Sequence, residues 1–238
     1  MKTTLIFLLS LFLLSISTGC STKKDVHKEK SSKTSQPVTE TGLKATQKYL
    51  KSLGKEYTLE ELKSLKMLYL GETQVADAGL VHLKPLKSLE SLDLYGTNVT
   101  DAGLIHLKPL KSLKVLGLAD TQVTDAGLVH LKPLQSLKSL DLWGTKVTDA
   151  GLVHLKPLKS LEVLSLADTQ VTDVGLVHLK SLKSLKNLYL KGTQVADAGC
   201  VHLEALTSLE ELYLYQTQVT DTGVKKLKKV LPKCLILK

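Results

Sequence analysis

Residues 158–181 read LKSLEVLSLADTQVTDVGLVHLKS, and the same frame recurs every 24 positions from Leu62 onward. Two leucines stand two residues apart within it, here Leu164 and Leu166. They return as Leu68/Leu70, Leu92/Leu94, Leu116/Leu118, Leu140/Leu142, Leu188/Leu190 and Leu212/Leu214, which makes seven copies in strict register. Residues two apart share one face of an extended chain, so each pair marks a short strand with one apolar side. The GLVHL segment that follows changes to helical spacing, and Pro85, Pro109, Pro133 and Pro157 end it. One strand and one short helix cannot bury their apolar faces alone. Stacked copies can, and a period of this kind therefore specifies a solenoid.

The full pattern L-x-x-L-x-L-x-x-T-x-V resembles the leucine-rich-repeat signature, with Thr73, Thr97, Thr121, Thr145, Thr169, Thr193 and Thr217 where the family more often has Asn or Cys. The GLVHL segments resemble the helices of ribonuclease-inhibitor-like and F-box-type repeats, and VTDAGL resembles the variety abundant in bacterial repeat proteins. The resemblance implies an α/β solenoid: a leucine-rich-repeat horseshoe with a parallel concave β-sheet and short convex helices. At about 4.8 Å per strand, its seven strands make an arc of roughly 34 Å. Each threonine of the column is expected to bond the backbone of the neighbouring coil. Thr100, Thr124, Thr148, Thr172 and Thr220, or the aspartate after each, are expected to cap the helices. Where Ala76 and Ala196 replace that threonine, Asp77 and Asp197 are left to do so.

Ahead of the repeats, residues 1–20 read MKTTLIFLLSLFLLSISTGC. An early lysine, an apolar run from Leu5 to about Ile16 and then small residues form a secretory signal, too short to span a bilayer as a mature helix. Its end, Ser17-Thr18-Gly19-Cys20, resembles a bacterial lipobox, although Ser17 stands where that pattern usually has Leu, Val or Ile. The resemblance implies lipidation of Cys20 and an exported protein anchored at the cell envelope, on the outer membrane or cell surface. An ordinary signal cleaved near Gly19 is the alternative. Residues 21–42 are polar and too poor in apolar groups to offset their ordering entropy, and they read as a disordered tether. Residues 43–61 read as a helical N-terminal cap, with Gly54 as a stop and Thr58-Leu59-Glu60-Glu61 as a capping box. Residues 62–238 are the repeat domain, closed by a degenerate copy in which Pro232 breaks the helix and Cys234–Leu237 forms a terminal strand. An exposed parallel edge there leaves edge-to-edge association open for an otherwise monomeric chain.

The formal charge of +9 comes from lysine, since arginine is absent. Planar bidentate recognition of phosphates and guanine is arginine's work, and no nucleic-acid partner is expected. Catalytic motifs are missing as well: there is no G-x-S-x-G, no H-E-x-x-H and no phosphate-cradling glycine loop, so the chain does not read as an enzyme. His82, His106, His130, His154, His178 and His202 form a column on the convex side, flanked by Val and Leu rather than by further ligands. A residue that recurs in six of seven copies belongs to the repeat's own packing, and neither metal nor cofactor is expected. Cys200 and Cys234 fall on the helix side and in the terminal strand, and two buried thiols are expected.

The informative residues differ between copies and flank the strand leucines, where alternation turns them into the hollow. Tyr69, Asp93, Gly117, Asp141, Ser165, Tyr189 and Tyr213 lie between the leucines, and Gly71, Tyr95, Ala119, Trp143, Ala167, Lys191 and Tyr215 just after them. Five of the seven tyrosines and the one tryptophan thus share a surface in a chain that is 4 % aromatic. Such side chains are stiff, amphipathic binding anchors. Asp93, Asp120, Asp141 and Asp168 add acid to the centre, while Lys84, Lys108, Lys132 and Lys156 lie on the outer side. The repeats alternate as two-copy blocks, so Trp143, Lys191, Glu211, Tyr213 and Tyr215, which break the alternation, carry the most information. The candidate ligand-binding residues are therefore Tyr69, Asp93, Tyr95, Asp141, Trp143, Tyr189, Lys191, Glu211, Tyr213 and Tyr215, facing a protein or glycan ligand. A structural or self-associating envelope module without a specific ligand is the second reading. For the anchor, metabolic labelling with a radioactive fatty acid is expected to mark the wild-type chain and to vanish in Cys20→Ala; label that persists refutes the lipid assignment.

Overall fold

Seven apolar positions of each copy all turn to one side, and this makes a 24-residue segment close into a coil. In the coil running from Leu110 to Leu131, the side chains of Leu110, Leu113, Leu116, Leu118, Val123, Leu128 and Leu131 are all 0 % exposed. Their counterparts in the coils before and after continue the same layers into a single core. The computed structural model describes residues 39–238. Cys20, the signal and most of the expected tether lie outside the described residues.

Eight three-residue strands form one parallel sheet in chain order: β1 (Met67–Tyr69), β2 (Ser91–Asp93), β3 (Val115–Gly117), β4 (Ser139–Asp141), β5 (Val163–Ser165), β6 (Asn187–Tyr189), β7 (Glu211–Tyr213) and β8 (Leu235–Leu237). The register is one repeat per strand: Leu68 stands opposite Leu92, and Leu92 opposite Leu116. The ladder runs past the strand ends, since Leu70 N–H reaches Asp93 O at 2.9 Å and Glu72 N–H reaches Tyr95 O at 2.7 Å. The architecture is that of an α/β leucine-rich-repeat solenoid.

On the convex side the expected helix is only a single α turn followed by a 3₁₀ turn, as in Asp101–Leu104 and Ile105–Leu107. Asp197–Leu203 and Asp221–Val230, with Ala205 and Lys229 in the proline position, are continuous α-helices, whereas Gly175–Ser181, with Ser181 there, is 3₁₀ throughout.

Two expectations about what joins the coils are corrected. The threonine column does not bond its neighbours. Thr121 Oγ1 donates to Leu118 O of its own coil at 2.6 Å, and Thr97, Thr145 and Thr193 do the same, closing a tight turn after each strand. The link between coils is the aspartate of VTDAGL. Asp101 Oδ1 accepts Thr124 N–H at 2.7 Å and its Oδ2 accepts the Thr124 hydroxyl at 2.6 Å. The same clasp joins Asp77 to Thr100, Asp125 to Thr148, Asp149 to Thr172 and Asp197 to Thr220. Each of these threonines also caps its own turn; Thr124 Oγ1 accepts Ala126 N–H at 3.3 Å. Asp77 and Asp197 consequently leave the turns that begin at Ala76 and Ala196 without a side-chain cap, because their carboxylates are committed to the next coil. Glycine two residues after the aspartate has a steric reason: a Cβ on Gly127 would overlap the Asp101 carboxylate.

The first coil is sealed by two helices. α1 (Glu40–Ser52) begins at the Thr39 cap, so the last three residues of the expected tether are helical, and the chain reverses at Gly54 with φ of 74°. Leu43 and Leu50 are buried, Thr46 Oγ1 donates to His82 O at 2.6 Å, and the Tyr49 ring stacks on His82 with centroids 4.8 Å apart. α2 (Leu59–Ser64) carries the capping box: Glu61 N–H donates to Thr58 Oγ1 at 3.2 Å and Thr58 N–H to Glu61 Oε2 at 2.7 Å.

The clasp is testable within one molecule, because Asp173 faces Ala196 and holds only its N–H, at 2.7 Å. Asp125→Ala strips both partners from Thr148 and is expected to cost about 1–3 kcal/mol in urea unfolding. Asp173→Ala is expected to cost less; equal losses would show that the hydroxyl arm of the clasp contributes nothing.

Candidate functional site

The concave face has three columns that the core does not use. Alternation along each strand sends the buried leucines inward and frees the residue before them, the residue between them and the residue after them. Tyr69 and Tyr215 are 45 % and 43 % exposed, while Tyr95, Trp143, Tyr189, Lys191, Glu211 and Tyr213 are half-buried among their neighbours. All ten candidate residues fall on this face.

They do not form one patch. Tyr95 and Trp143 belong to coils two apart, and small Ala119 lies between them, so the two rings lean together with centroids 6.3 Å apart and planes 19° from parallel. Trp143 Nε1 donates to Asp168 Oδ2 at 2.6 Å, which fixes the indole. On adjacent strands, Tyr189 and Tyr213 stack at 4.4 Å and 14°. The Tyr213 hydroxyl and Asn187 Nδ2 both donate to Glu211 Oε2 at 2.8 Å, so carboxylate and ring are oriented together. Burial pushes the Tyr189 and Tyr213 phenols above the usual tyrosine range, and for Tyr213 the bond to Glu211 adds to it. Both stay neutral hydrogen-bonding groups at neutral pH. Stacked aromatics in such geometry exceed their area burial in value by about 0.5–1.5 kcal/mol.

Two of the expected acidic residues are tied to the backbone beside them. Asp141 is 7 % exposed, and its carboxylate accepts Trp143 N–H at 3.0 Å; Asp93 accepts Tyr95 N–H at 3.0 Å in the same way. Burial raises the pKa of both. Each leans toward a small residue of the next strand, Gly117 or Ser165, and each fixes the aromatic residue two positions on. Their carboxylates are thereby tied to the backbone beneath the two rings.

The position after the last column contributes more than acid to the centre. Its residues in seven successive coils, Glu72, Gly96, Asp120, Gly144, Asp168, Gly192 and Gln216, all have φ between 52° and 70°. That left-handed conformation favours Gly and Asp, so the alternation is conformational first. Glu72 and Asp168 nonetheless remain exposed at the rim of the face. The column before the leucines was missed apart from Glu211. It runs from half-exposed Met67 through Ser91 and Val115 to Asn187, whose tie to Glu211 makes it part of the second aromatic group. Beside the sheet, Glu90 bridges Lys66 and Lys114 at 2.9 and 2.5 Å, and Glu162 bridges Lys138 and Lys186 at 2.8 and 3.0 Å. The bonded lysines hold both carboxyls below the usual glutamate range. A match to period-24 spacing of opposite charges was the available signal for these.

Among the described residues no three His, Cys, Asp or Glu side chains converge as a metal site. Cys200 and Cys234 are buried free thiols, and burial pushes each up to about 11, far from thiolate reactivity.

Models of the leucine-rich-repeat families match residues 135–195 and 86–108. Both matches lie within the repeats and agree with the leucine-rich-repeat solenoid fold. In solved structures it is similar to an internalin (inlF) from Listeria monocytogenes, with 25 % identity and a TM-score of 0.63 over 74 % of this chain. That alignment covers 48 % of the internalin, so this chain spans about half of its length. It is also similar in fold to an internalin C2 (inlC2) from the same organism, with 23 % identity and a TM-score of 0.59 over 81 % of this chain and 91 % of the other. No curated protein matches it significantly in sequence.

The histidine column sets a pH dependence. Burial, followed by the lysine of the preceding coil, lowers the pKa of His106, His130, His154 and His178, and a nearby aspartate opposes this. Nδ1 of His130, His178 and His202 is buried without a hydrogen-bond partner. A histidine with a depressed folded pKa favours the neutral form, so its contribution is full above its unfolded pKa of about 6.5 and is lost as pH falls through the folded value. Between pH 7.5 and 5.5 the wild-type urea midpoint is expected to fall further than that of H106Q/H130Q/H154Q/H178Q. Parallel pH profiles for the two chains would contradict it.

Proposed function

We propose that this chain is a non-catalytic binding protein held at the cell envelope, and that its concave face takes hold of another protein. The observation that carries the reading is the pair of fixed aromatic groups, Tyr95/Trp143 and Tyr189/Tyr213, on a face that also exposes Tyr69 and Tyr215. Their rings are oriented before any ligand arrives, through Asp93, Asp141, Asp168 and Glu211. Pre-orientation of this kind lowers the entropic cost of binding, and Tyr and Trp are the side chains that dominate protein contacts. A repeat solenoid offers its concave sheet as an extended binding surface, and the similarity in fold to the internalins supports that use. The exposed carboxylates Glu72 and Asp168 beside the rings favour a segment with basic and apolar side chains, whose aliphatic stems lie on the rings. The envelope location rests on residues 1–20, with Cys20 as the lipid-bearing residue.

In capture experiments on envelope extracts, the purified chain is expected to retain a defined protein. Trp143→Ala, Tyr189→Ala and Tyr213→Ala together should abolish the capture, at about 2 kcal/mol or more per anchor, while circular dichroism stays unchanged. Capture that survives the three substitutions overturns the reading; capture lost on periodate oxidation but kept after proteolysis of the extract makes the ligand a glycan.

A further inference from the structure

The convex side carries a regularity that concave binding does not use. In the 3₁₀ turns Val81–Leu83, Ile105–Leu107 and Val153–Leu155, the residue that opens the turn and the lysine that caps it are three apart. Side chains at that spacing eclipse one another in a 3₁₀ turn. Val81 with Lys84, Ile105 with Lys108 and Val153 with Lys156 therefore share one outward face, and Val177 with Lys180 repeats the spacing. Val81, Ile105, Val153, Val177 and Val201 are between 38 % and 53 % exposed. Three residues further on, Lys87, Lys111, Lys159 and Lys183 are exposed. In the third coil Val129 is half-buried and Gln135 stands in the second lysine position, so an aliphatic row flanked by two lysines marks the first, second, fourth and fifth coils.

These lysines lack acidic partners: among the described residues none of them forms an ion pair. The aspartates that open the same turns, Asp77, Asp101, Asp125 and Asp149, are committed to the clasps. The rows repel each other as well. Burial first, and then Lys84 and Lys111, hold Lys87 below the usual lysine range. In the sixth coil Glu204 takes the place of the capping lysine, so the basic face belongs to the first five.

We propose that this convex face docks on an anionic lipid bilayer, with the lysines at the depth of the headgroup phosphates and the aliphatic row in the interface. Lysines near such a surface each contribute about 1 kcal/mol, and their stems lie along apolar surface while the ammonium groups stay in water. The aliphatic row decides between a bilayer and a soluble polyanion. A polyanion needs the charges alone and leaves five exposed aliphatic side chains in water, whereas interfacial docking uses both. Docking on this side leaves the aromatic face turned away from the lipid and open to a partner. The inference holds whether or not Cys20 is lipidated.

The test uses the full chain with Cys20→Ser and an environment-sensitive nitrobenzoxadiazole label at Val153→Cys or, as the concave control, at Met67→Cys. Cys200 and Cys234 are buried and stay unlabelled. With vesicles of phosphatidylglycerol and phosphatidylcholine the label at 153 is expected to shift to the blue and that at 67 to stay water-like, with neither responding to phosphatidylcholine alone. K84Q/K108Q/K132Q/K156Q in the 153-labelled chain is expected to raise the lipid needed for half the shift at least roughly tenfold. A 153 label that stays water-like, a shift at 67 instead, or a lysine variant that behaves as its parent overturns the proposal. Tight binding of soluble polyphosphate with no shift at 153 on lipid overturns it in favour of a polyanion site.

Discussion

Each inner coil of this protein buries its leucines against two neighbours, and the unbroken interval of 24 residues is what lets it do so. No coil has a core of its own. An insertion of one residue within a strand, between Leu116 and Leu118 for example, would turn the residues after it to the wrong face. The clasp between Asp101 and Thr124 shows how closely the interval is kept, because the same carboxylate must meet both a backbone N–H and a hydroxyl one coil on. Glycine follows in that coil for want of room for any side chain. Leucine, valine, threonine, aspartate and glycine columns together meet the demands of the fold, and the concave columns are left free to vary.

That freedom explains why the aromatic groups can be read as acquired features. Ala119 between Tyr95 and Trp143 allows rings two coils apart to approach, whereas Tyr189 and Tyr213 on adjacent strands stack directly. Around them the same residue types serve two ends. Asp93 and Asp141 hold the backbone ahead of an aromatic residue, and Asp120 occupies a left-handed turn while lending charge beside Tyr95. The acid of the hollow is thus partly structural, and less of it is offered outward than the count of aspartates suggests.

Most of the fold was legible in the sequence, since period and alternation state which side chains are inside. So was the membership of the aromatic face, which follows from the same alternation. What the columns do to each other was harder to read. A threonine repeated every 24 residues is equally compatible with a bond to its own coil or to the next, and only geometry shows that Thr121 turns back to Leu118 while Asp101 reaches across. The recurring Asp and Gly at the turn carry a requirement for positive φ that the spacing alone does not announce. Tyr49, in the cap, gave no hint that it would take the place of a preceding coil by stacking on His82. The helix start at Thr39 was missed because the polar residues before Leu43 look like the tether that precedes them.

The central claim is that a protein ligand meets the concave sheet at its aromatic groups. Site-specific photo-crosslinking tests it most directly, with benzoylphenylalanine placed singly along the concave face, at Tyr69, Tyr189 and Tyr215, and on the convex side at Val153. The account predicts one protein adduct of common mass from the concave positions and none from Val153. Protein adducts from Val153 alone, or from no concave position, would contradict it.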